Sequence, residues 1–293
     1  MKKIRYIDRE TGLEKVEIPP GEAFLKFLYH HPFGGLALNV LVKRKFLSET
    51  YGRMMNGANS TKRIKPFVDR LGIDMSESLK SIDEFASFND FFYRKLKPNL
   101  RPIQEGIVSP GDGKVIAFES IGDVNEFFVK GTKFTLKAFL ANDALAKKYQ
   151  DSSMFIIRLA PNDYHRFHFP YSGLASQPYK IKGAYFSVSP YALAANFTKV
   201  FCENKREFTI LKTHDKGDIL ISPVGATMVG SIVETYQSNT EVAKGDEMGY
   251  FAFGGSTIVL LVDRQQVQID ADILANTKKG METSIRMGER MGL

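Results

Sequence analysis

The pattern of hydrophobic and polar residues differs between the first hundred residues and the rest of the chain. Residues 81–98 (SIDEFASFNDFFYRKLKP) begin with acidic side chains, carry aromatic residues at near-helical spacing and end on basic side chains before Pro98. Acidic residues at the start and basic residues at the end are typical of an α-helix. The first hundred residues are therefore predicted to be mostly helical. From Ile107 onward, short apolar runs broken by Gly, Pro and Asn or Asp indicate strands.

The change in the hydrophobic and polar pattern around residues 100–106 predicts a division of the chain into two parts. Residues 1–104 form a helical, basic and apolar N-terminal region in this interpretation, and residues 105–293 form a β-rich domain. The predicted fold class is therefore α+β, with helices first and a mainly antiparallel β core after them.

Two segments of the second part resemble each other. SPGDGKVIAFESIG begins at Ser109 and SPVGATMVGSIVET at Ser222, and a Lys-Gly turn follows each of them, at Gly131 and Gly245. A repeat of this kind predicts a core built from two pseudo-repeated β units. The alternative is a chance similarity between two strand–loop–strand segments.

The net charge of +7 is concentrated in the N-terminal third. Residues 1–108 contain 19 Lys or Arg against 13 Asp or Glu, and residues 36–70 alone contain 8 against 2. Such a cluster is either a solvated face or a surface for anionic lipid or nucleic acid. Since no nucleic-acid-binding motif accompanies it, we expect no nucleic-acid partner.

An apolar segment, residues 23–47, overlaps the basic cluster. Lys26 and Pro32 interrupt it, and the apolar stretch 33–42 is half the ~20 residues needed to span a bilayer. The segment fits a pair of core helices, or interfacial helices whose basic neighbours meet anionic headgroups. We expect the interfacial arrangement, and hence a membrane-associating N-terminal region.

The N-terminal sequence, the single cysteine and the few histidines bear on the cellular location of the protein and on whether it binds a metal. The opening MKKIRYIDRETGLEKV lacks the apolar centre of a secretion signal, so we expect a peripheral protein on the cytoplasmic face of the cell membrane. One cysteine, Cys202, excludes an internal disulfide. Five histidines without zinc-site spacing predict no metal.

Three short strings hold the candidate catalytic residues. Ser256 follows two glycines in FGGSTIVLLV (253–262), His165 and His168 lie in YHRFHFP, and Asp112 lies in SPGDGKV. Each has an ordinary structural interpretation, as a strand-entry residue, a core histidine or a turn residue. Together, Asp112, His168 and Ser256 can form a triad, which leaves a serine hydrolase open. The G-x-S-x-G string of the nucleophile elbow is missing.

The same three strings, in this order, resemble the phosphatidylserine decarboxylases. Further matching segments are FNDFFYRKLKPNLRP (88–102), YFSVSPYAL (185–193), FCENKRE (201–207) and VAKGDEMGYF (242–251), so the resemblance covers roughly residues 80–265. Most members carry Leu-Gly-Ser-Thr where this chain has Gly-Gly-Ser-Thr. The Gly255–Ser256 pair is kept.

The resemblance implies a self-processing enzyme with a pyruvoyl cofactor. It implies that His168, oriented by Asp112, activates Ser256, and that the chain is cut between Gly255 and Ser256. A pyruvoyl group made from Ser256 then forms a Schiff base with phosphatidylserine, and decarboxylation gives phosphatidylethanolamine. Neither a metal nor pyridoxal phosphate is needed, because the ketone takes the electron-sink role. His165 is assigned, also by resemblance, to the decarboxylation stage.

The resemblance further implies the partners. These are phosphatidylserine, an anionic membrane surface, the two self-cleavage products 1–255 and 256–293 held together, and a homodimer. A hydrolase without self-cleavage and a non-catalytic membrane adaptor are the competing hypotheses, and both predict an intact chain.

Overall fold

The computed structural model describes residues 4–17, 52–128, 133–184, 186–188, 190–225, 232–254 and 256–293, without the side chains of residues 190, 191, 194 and 195. Strands in this part are β1 (Ile4–Ile7), β2 (Glu14–Glu17), β3 (Ile107–Val108), β4 (Gly113–Phe118), β5 (Ser152–Leu159), β6 (Arg166–His168), β7 (Gly173–Ala175), β8 (Tyr179–Ile181), β9 (Arg206–Lys212), β10 (Asp218–Gly225), β11 (Ile232–Glu234), β12 (Thr240–Val242), β13 (Glu247–Phe251), β14 (Ser256–Asp263), β15 (Glu282–Ile285) and β16 (Arg290–Gly292).

Short helices connect these strands. The α-helices are α1 (Ile64–Leu71), α2 (Phe88–Phe92), α3 (Ile121–Phe127), α4 (Leu136–Leu140), α5 (Asp143–Lys148), α6 (Pro190–Glu203, kinked at Asn196) and α7 (Ala271–Lys278). The 3-10 helices are Ala58–Arg63, Met75–Glu77 and Ile82–Glu84.

One large, mostly antiparallel sheet organises the molecule. Its strands run in the order β12-β7-β9-β10-β14-β5-β4-β15-β1-β2, and β8 pairs with β9 as an eleventh strand. The one parallel pair among the described strands of this sheet joins β1 to β15. Two smaller sheets, β11-β13-β6 and β16-β3, pack beside it. The prediction of a mainly antiparallel β core is thereby confirmed.

Both faces of the large sheet are covered, which explains the continuous apolar runs of its central strands. Along β5, Met154 and Ile156 belong to a core on the face covered by helices α3 to α6. Phe155 and Ile157 belong to a second core, which the sheet β11-β13-β6 and helix α7 cover. Since each fully buried aliphatic or Phe side chain contributes about 1.5–3 kcal/mol, β5 and β14 are stabilised from both sides.

The described part of the N-terminal region is not mainly helical, so the prediction of a helical region over 1–104 is not confirmed. Strands β1 and β2 extend the edge of the large sheet. The helix predicted over residues 81–98 is interrupted, because Ser87 caps a new helix by accepting a hydrogen bond from the Asp90 N–H at 3.1 Å. Phe85 is extended before it and packs its ring against Phe91, 5.6 Å away.

The pseudo-repeat and the membrane-associating segment were also predicted from the sequence. The pseudo-repeat is not confirmed: Ser109 lies in the loop before β4, whereas Ser222, its counterpart, lies within β10. The apolar segment 23–47 lies outside the described residues. In the part of the chain that is described, no helix is long and apolar enough to span a membrane.

A buried ionic network joins the N-terminal strands to the centre of the sheet. Arg158 on β5 donates hydrogen bonds to Glu17 on β2 and to Glu282 on β15, at 2.6–3.0 Å. Its side chain is 4% exposed. Lys114 on β4 pairs with Asp163 at 2.9 Å. A buried charge without its partner destabilises a folded protein, so removal of any one of these ions should lower the stability of the fold.

We expect Arg158→Met to lower the free energy of unfolding by about 3–5 kcal/mol, because Glu17 and Glu282 would stay buried without their cation. Lys65→Met is the matched control, since the Lys65–Asp69 pair is exposed and contributes less than about 1 kcal/mol. Urea denaturation at neutral pH measures both variants. Equal losses in the two would contradict a structural role of the buried network.

Candidate active site

The strand ends nearest to Asp112, His165 and Ser256 lie at one end of the large sheet. Strand β4 begins, β5 ends and β14 begins there, as the pairs Lys114–Arg158 and Leu159–Ser256 show. Asp112 directly precedes β4, and the turn after β5 leads to His165. Antiparallel pairing thus places residues from distant parts of the sequence at one sheet edge.

Ser256 is the first residue of β14 and is fully buried. Its neighbours in the sheet are Leu159 on β5 and Gly225 on β10. By the alternation of strand side chains, Ser256 shares a face with Ile258 and points to the core covered by β11-β13-β6. Its Oγ has no hydrogen-bond partner among the described residues. The Oγ1 of the next residue, Thr257, is likewise buried without a partner among the described residues, and buried hydroxyls without a partner are uncommon in folded proteins.

The residue before the Gly255–Ser256 pair has a backbone conformation that favours glycine. Gly254 has a φ of +146°, which L-residues with a side chain rarely adopt. Gly255 itself lies outside the described residues. The double glycine of the sequence is therefore explained at one of its two positions by a turn into the central strand.

The loop Ser109–Asp112 covers the same face of the sheet beside Ser256. A Cβ at Gly111 would lie 3.4 Å from Cδ1 of Ile258, and the carbonyl of Pro110 accepts a hydrogen bond from the His168 N–H at 2.8 Å. The Asp112 carboxylate accepts from Arg101, at 2.6 Å for the shortest contact, and from the Met287 N–H at 2.8 Å. Arg101 also binds Glu77.

His165 is a fully buried imidazole with one free nitrogen. Its Nδ1–H donates to the Asp163 carbonyl at 2.8 Å, so Nε2 carries the lone pair. Nε2 has no partner within the described parts of the chain. The ring lies against Phe92, with 3.9 Å between centroids. Burial lowers the pKa of His165 to about 4, so the imidazole is neutral at physiological pH.

His168, on β6, is held through both ring nitrogens. Nδ1–H donates to the Gly245 carbonyl at 2.9 Å, and Nε2 accepts from the Tyr164 hydroxyl at 3.1 Å. Burial lowers the pKa of His168 and raises that of Tyr164. The His168 imidazole is therefore neutral, and a protonated phenol occupies its lone pair.

The structure does not show a direct hydrogen bond between Asp112 and His168. The carboxylate of Asp112 is bound by Arg101 and Met287, and both His168 nitrogens have other partners. The orienting role assigned to Asp112 stays a prediction. Asp112 and His168 are linked through the loop, because the Pro110 carbonyl binds the His168 backbone.

Sequence reasoning missed three residues of this site. Tyr164 caps His168, Arg101 binds Asp112, and Asn89 binds the backbone at Phe253 at 3.0 Å. Tyr164 and Arg101 lie inside the segments that carry the family resemblance, but nothing in their spacing indicates a partner 4 or 11 residues away. Asn89 contacts a residue 164 positions along the chain, which a single sequence cannot predict.

Comparison with known proteins identifies the family. The family model for phosphatidylserine decarboxylase matches residues 88–293. The chain belongs to the phosphatidylserine decarboxylase family.

Curated relatives match over nearly their whole length. A phosphatidylserine decarboxylase proenzyme from Fusobacterium nucleatum subsp. nucleatum is 55% identical over 293 residues, which is 99% of this chain and 97% of that protein. The proenzyme from Clostridium tetani is 47% identical, covering 99% of this chain and 98% of that protein. The proenzyme from Desulfitobacterium hafniense strain Y51 is 44% identical with the same coverage.

Family membership bears on the competing hypotheses. The serine-hydrolase alternative is not supported, because every relative named above is a decarboxylase proenzyme. In the described residues, no group of three or more His, Cys, Asp or Glu side chains is arranged to hold a metal ion.

The buried His165 predicts a specific pH dependence of stability. Its pKa is about 4 in the folded protein and about 6.5 when unfolded. Between these values the unfolded chain binds more protons, so stability is lost as the pH falls. Wild type should therefore lose about 2 kcal/mol more than His165→Gln between pH 7 and pH 5. Urea denaturation followed by circular dichroism measures the difference.

His214→Gln, at an exposed position, is the matched control and should keep the wild-type pH dependence. If His165→Gln shows the same fall in stability as wild type, His165 is not a buried neutral imidazole.

Proposed function

We propose that this chain is a proenzyme that cuts itself between Gly255 and Ser256 and then decarboxylates phosphatidylserine to phosphatidylethanolamine and CO2. The observation that carries the proposal is the Ser256 hydroxyl. It is fully buried at the start of a central strand, has no partner among the described residues, and lies at the sheet end that Asp112 and His165 share. Membership of the phosphatidylserine decarboxylase family supports the substrate.

The proposed self-cleavage uses the Ser256 hydroxyl as an internal nucleophile. Oγ attacks the carbonyl carbon of Gly255, and the peptide bond between the two residues is exchanged for an ester. Removal of the Ser256 α-proton expels the Gly255 carboxylate from Cβ and leaves dehydroalanine. Water then hydrolyses this group, ammonia leaves, and residue 256 becomes a pyruvoyl group at the new N-terminus.

The neutral imidazoles of His165 and His168 are the bases that we propose for these proton transfers. We assign His168 to the cleavage stage. The Tyr164 hydroxyl on its Nε2 must move aside or relay the proton, since that nitrogen is occupied. Asp112, held by Arg101, fixes the loop that binds the His168 backbone. Asp112 therefore acts on His168 through the loop geometry and its charge.

His165 is assigned to the decarboxylation stage. Its unpaired Nε2 can accept a proton from the substrate amine or deliver one after CO2 has left. Because Asp163 and Phe92 fix the ring, this nitrogen keeps one direction throughout the reaction.

The residues at the start of β14 fit a pyruvoyl group. Hydrogen-bonded pairing with both β5 and β10 holds residue 256, and the hydroxyl that would be consumed makes no hydrogen bond to the described residues. Such a group supplies a ketone that binds the substrate amine and takes up the electron pair released with CO2, without pyridoxal phosphate.

The two products of cleavage, 1–255 and 256–293, are proposed to stay associated. The shorter piece supplies β14 between β10 and β5, and β15 between β4 and β1. The buried Arg158–Glu282 pair and the Asp112–Met287 hydrogen bond also cross between the pieces. Separation would expose the strand edges of β10, β5, β4 and β1 and several buried ions, which is strongly unfavourable.

An anionic membrane surface is the proposed docking partner of the N-terminal region. Arg53, Lys62 and Arg63 are exposed, and Met54 beside them is 55% exposed. Each basic residue near anionic lipid contributes about 1 kcal/mol. We place the enzyme on the cytoplasmic face of the membrane, with residues 1–104 as its membrane-associating region and 105–293 as its catalytic domain. A homodimer stays a prediction from the family resemblance.

Ser256→Ala should give one uncut chain, because alanine has no hydroxyl to attack the Gly255 carbonyl. Ser222→Ala is the matched control. Ser222 is another buried serine, on the neighbouring strand β10, and its hydroxyl donates to the Glu207 carbonyl. The Ser222→Ala chain should be cut normally. Denaturing gel electrophoresis resolves the pieces. A Ser256→Ala chain cut at the same bond would rule out this mechanism.

Substitution of His168 should affect self-cleavage, whereas substitution of His165 should affect decarboxylation. His168→Ala should slow self-cleavage, as should Asp112→Asn. His165→Ala should be cut yet release CO2 from phosphatidylserine about 100-fold more slowly or worse, the size of a lost acid–base group. Cleavage is followed by gel and decarboxylation by CO2 release per cut molecule, with His214→Ala as control. Wild-type turnover in His165→Ala would remove this residue from the site.

A further inference from the structure

We propose that Asn89 is a positioning residue for self-cleavage, which holds the backbone two residues before the bond that is cut. This inference rests on the proposed cleavage between Gly255 and Ser256. It assigns to helix α2 a role in that reaction which goes beyond packing.

Asn89 binds the chain directly upstream of the cleavage site. The Phe253 N–H donates to Asn89 Oδ1 at 3.0 Å. Asn89 is 2% exposed, and its amide group donates to Asn56 Oδ1 at 2.7 Å. The same amide also donates to the Gly52 carbonyl at 3.5 Å, and these two acceptors together turn the carbonyl oxygen of Asn89 towards Phe253.

The Phe253 side chain is held by the same helix. Its ring lies 5.0 Å from that of Phe88 and 4.9 Å from that of Phe92, centroid to centroid, and both pairs are edge-on. Phe67 on α1 contacts it from a third side at 6.2 Å. Residue 253 is thereby bound through its backbone and its side chain.

The chain is also held on the other side of the cleavage site. Ser256 is hydrogen-bonded into the large sheet between β10 and β5. Between the two held residues lie only Gly254, with its φ of +146°, and Gly255. Because only two residues separate Phe253 from Ser256, we expect a displacement of Phe253 to be transmitted to the bond that is cut.

Helix α2 also contacts a catalytic candidate. Phe92 lies against the His165 ring at 3.9 Å, while Asn89, three residues earlier, binds Phe253. One short helix thus sets the position of the chain before the cleavage site relative to His165. Attack by Oγ requires the reacting atoms to meet at about 3–3.5 Å, and small misplacements reduce such rates strongly.

Asn89→Ala should therefore lower the first-order rate of self-cleavage by about tenfold, the effect of one lost buried hydrogen bond in the reacting geometry. The measurement is the appearance of fragment 256–293 over time during cell-free synthesis, read by denaturing gel. Asn89→Asp keeps an acceptor oxygen for the Phe253 N–H and should be cut within about threefold of the wild-type rate.

Asn56→Ala separates positioning from stability. It removes one acceptor of the Asn89 amide and keeps the other, the Gly52 carbonyl, together with the Asn89 carbonyl itself. Since Asn56 is exposed, this variant should lose less stability than Asn89→Ala and be cut faster. Asn89→Leu, which keeps the volume, replaces the alanine variant in the comparison if that variant does not fold.

The outcomes are distinct. Slow cleavage confined to Asn89→Ala and Asn89→Leu supports the inference. Wild-type rates in these variants would overturn it, as would equal slowing in Asn56→Ala or Asn89→Asp, since either pattern means a structural role. If the wild-type chain is not cut at all, the proposed function fails, and that result is visible before any Asn89 variant is measured.

Discussion

The antiparallel pairing of β14 with both β10 and β5 is the constraint on which the rest of the structure depends. It fixes Ser256 at the end of a rigid sheet, with neighbours in register on both sides. The backbone there is fully bonded, whereas the hydroxyl is buried without a partner among the described residues. A reactive group is held most accurately on such a scaffold. The loops that carry Asp112 and His165 leave the sheet at the same end.

The chemistry of the site depends on burial more than on ion pairing. The two imidazoles are neutral because the surrounding core penalises their charged forms. The carboxylates nearby are already matched with cations, Asp112 with Arg101 and Asp163 with Lys114. The candidate residues therefore include two neutral imidazoles and a neutral hydroxyl, which are the groups that the proposed internal attack requires. The ion pairs serve to hold loops and strands, and two of the network's contacts connect the segments that cleavage would separate.

Much of the catalytic part could be predicted from the sequence, and the reasons are local. The run after Ser256 is apolar without interruption, which is typical of a buried strand, and β14 is such a strand. Gly254, one of the two glycines before this run, has a positive φ that favours glycine. The single helix expected over 81–98 is interrupted, because Ser81 and Ser87 each cap a separate short helix. Strands β1 and β2 form only because β15, far along the chain, offers an edge. The partners Arg101, Tyr164 and Asn89 depend on contacts that arise only after folding.

Intact-mass spectrometry of the wild-type protein under denaturing conditions tests the central claim most directly. The account predicts two chains, residues 1–255 and residues 256–293, and the shorter one should begin with a pyruvoyl group in place of serine, lighter by one ammonia. Under native conditions the two should elute together, since β14 and β15 are interior strands of one sheet. A single chain of full mass that persists after long incubation at neutral pH would contradict the account, and Ser256 would then be a buried serine without this chemistry.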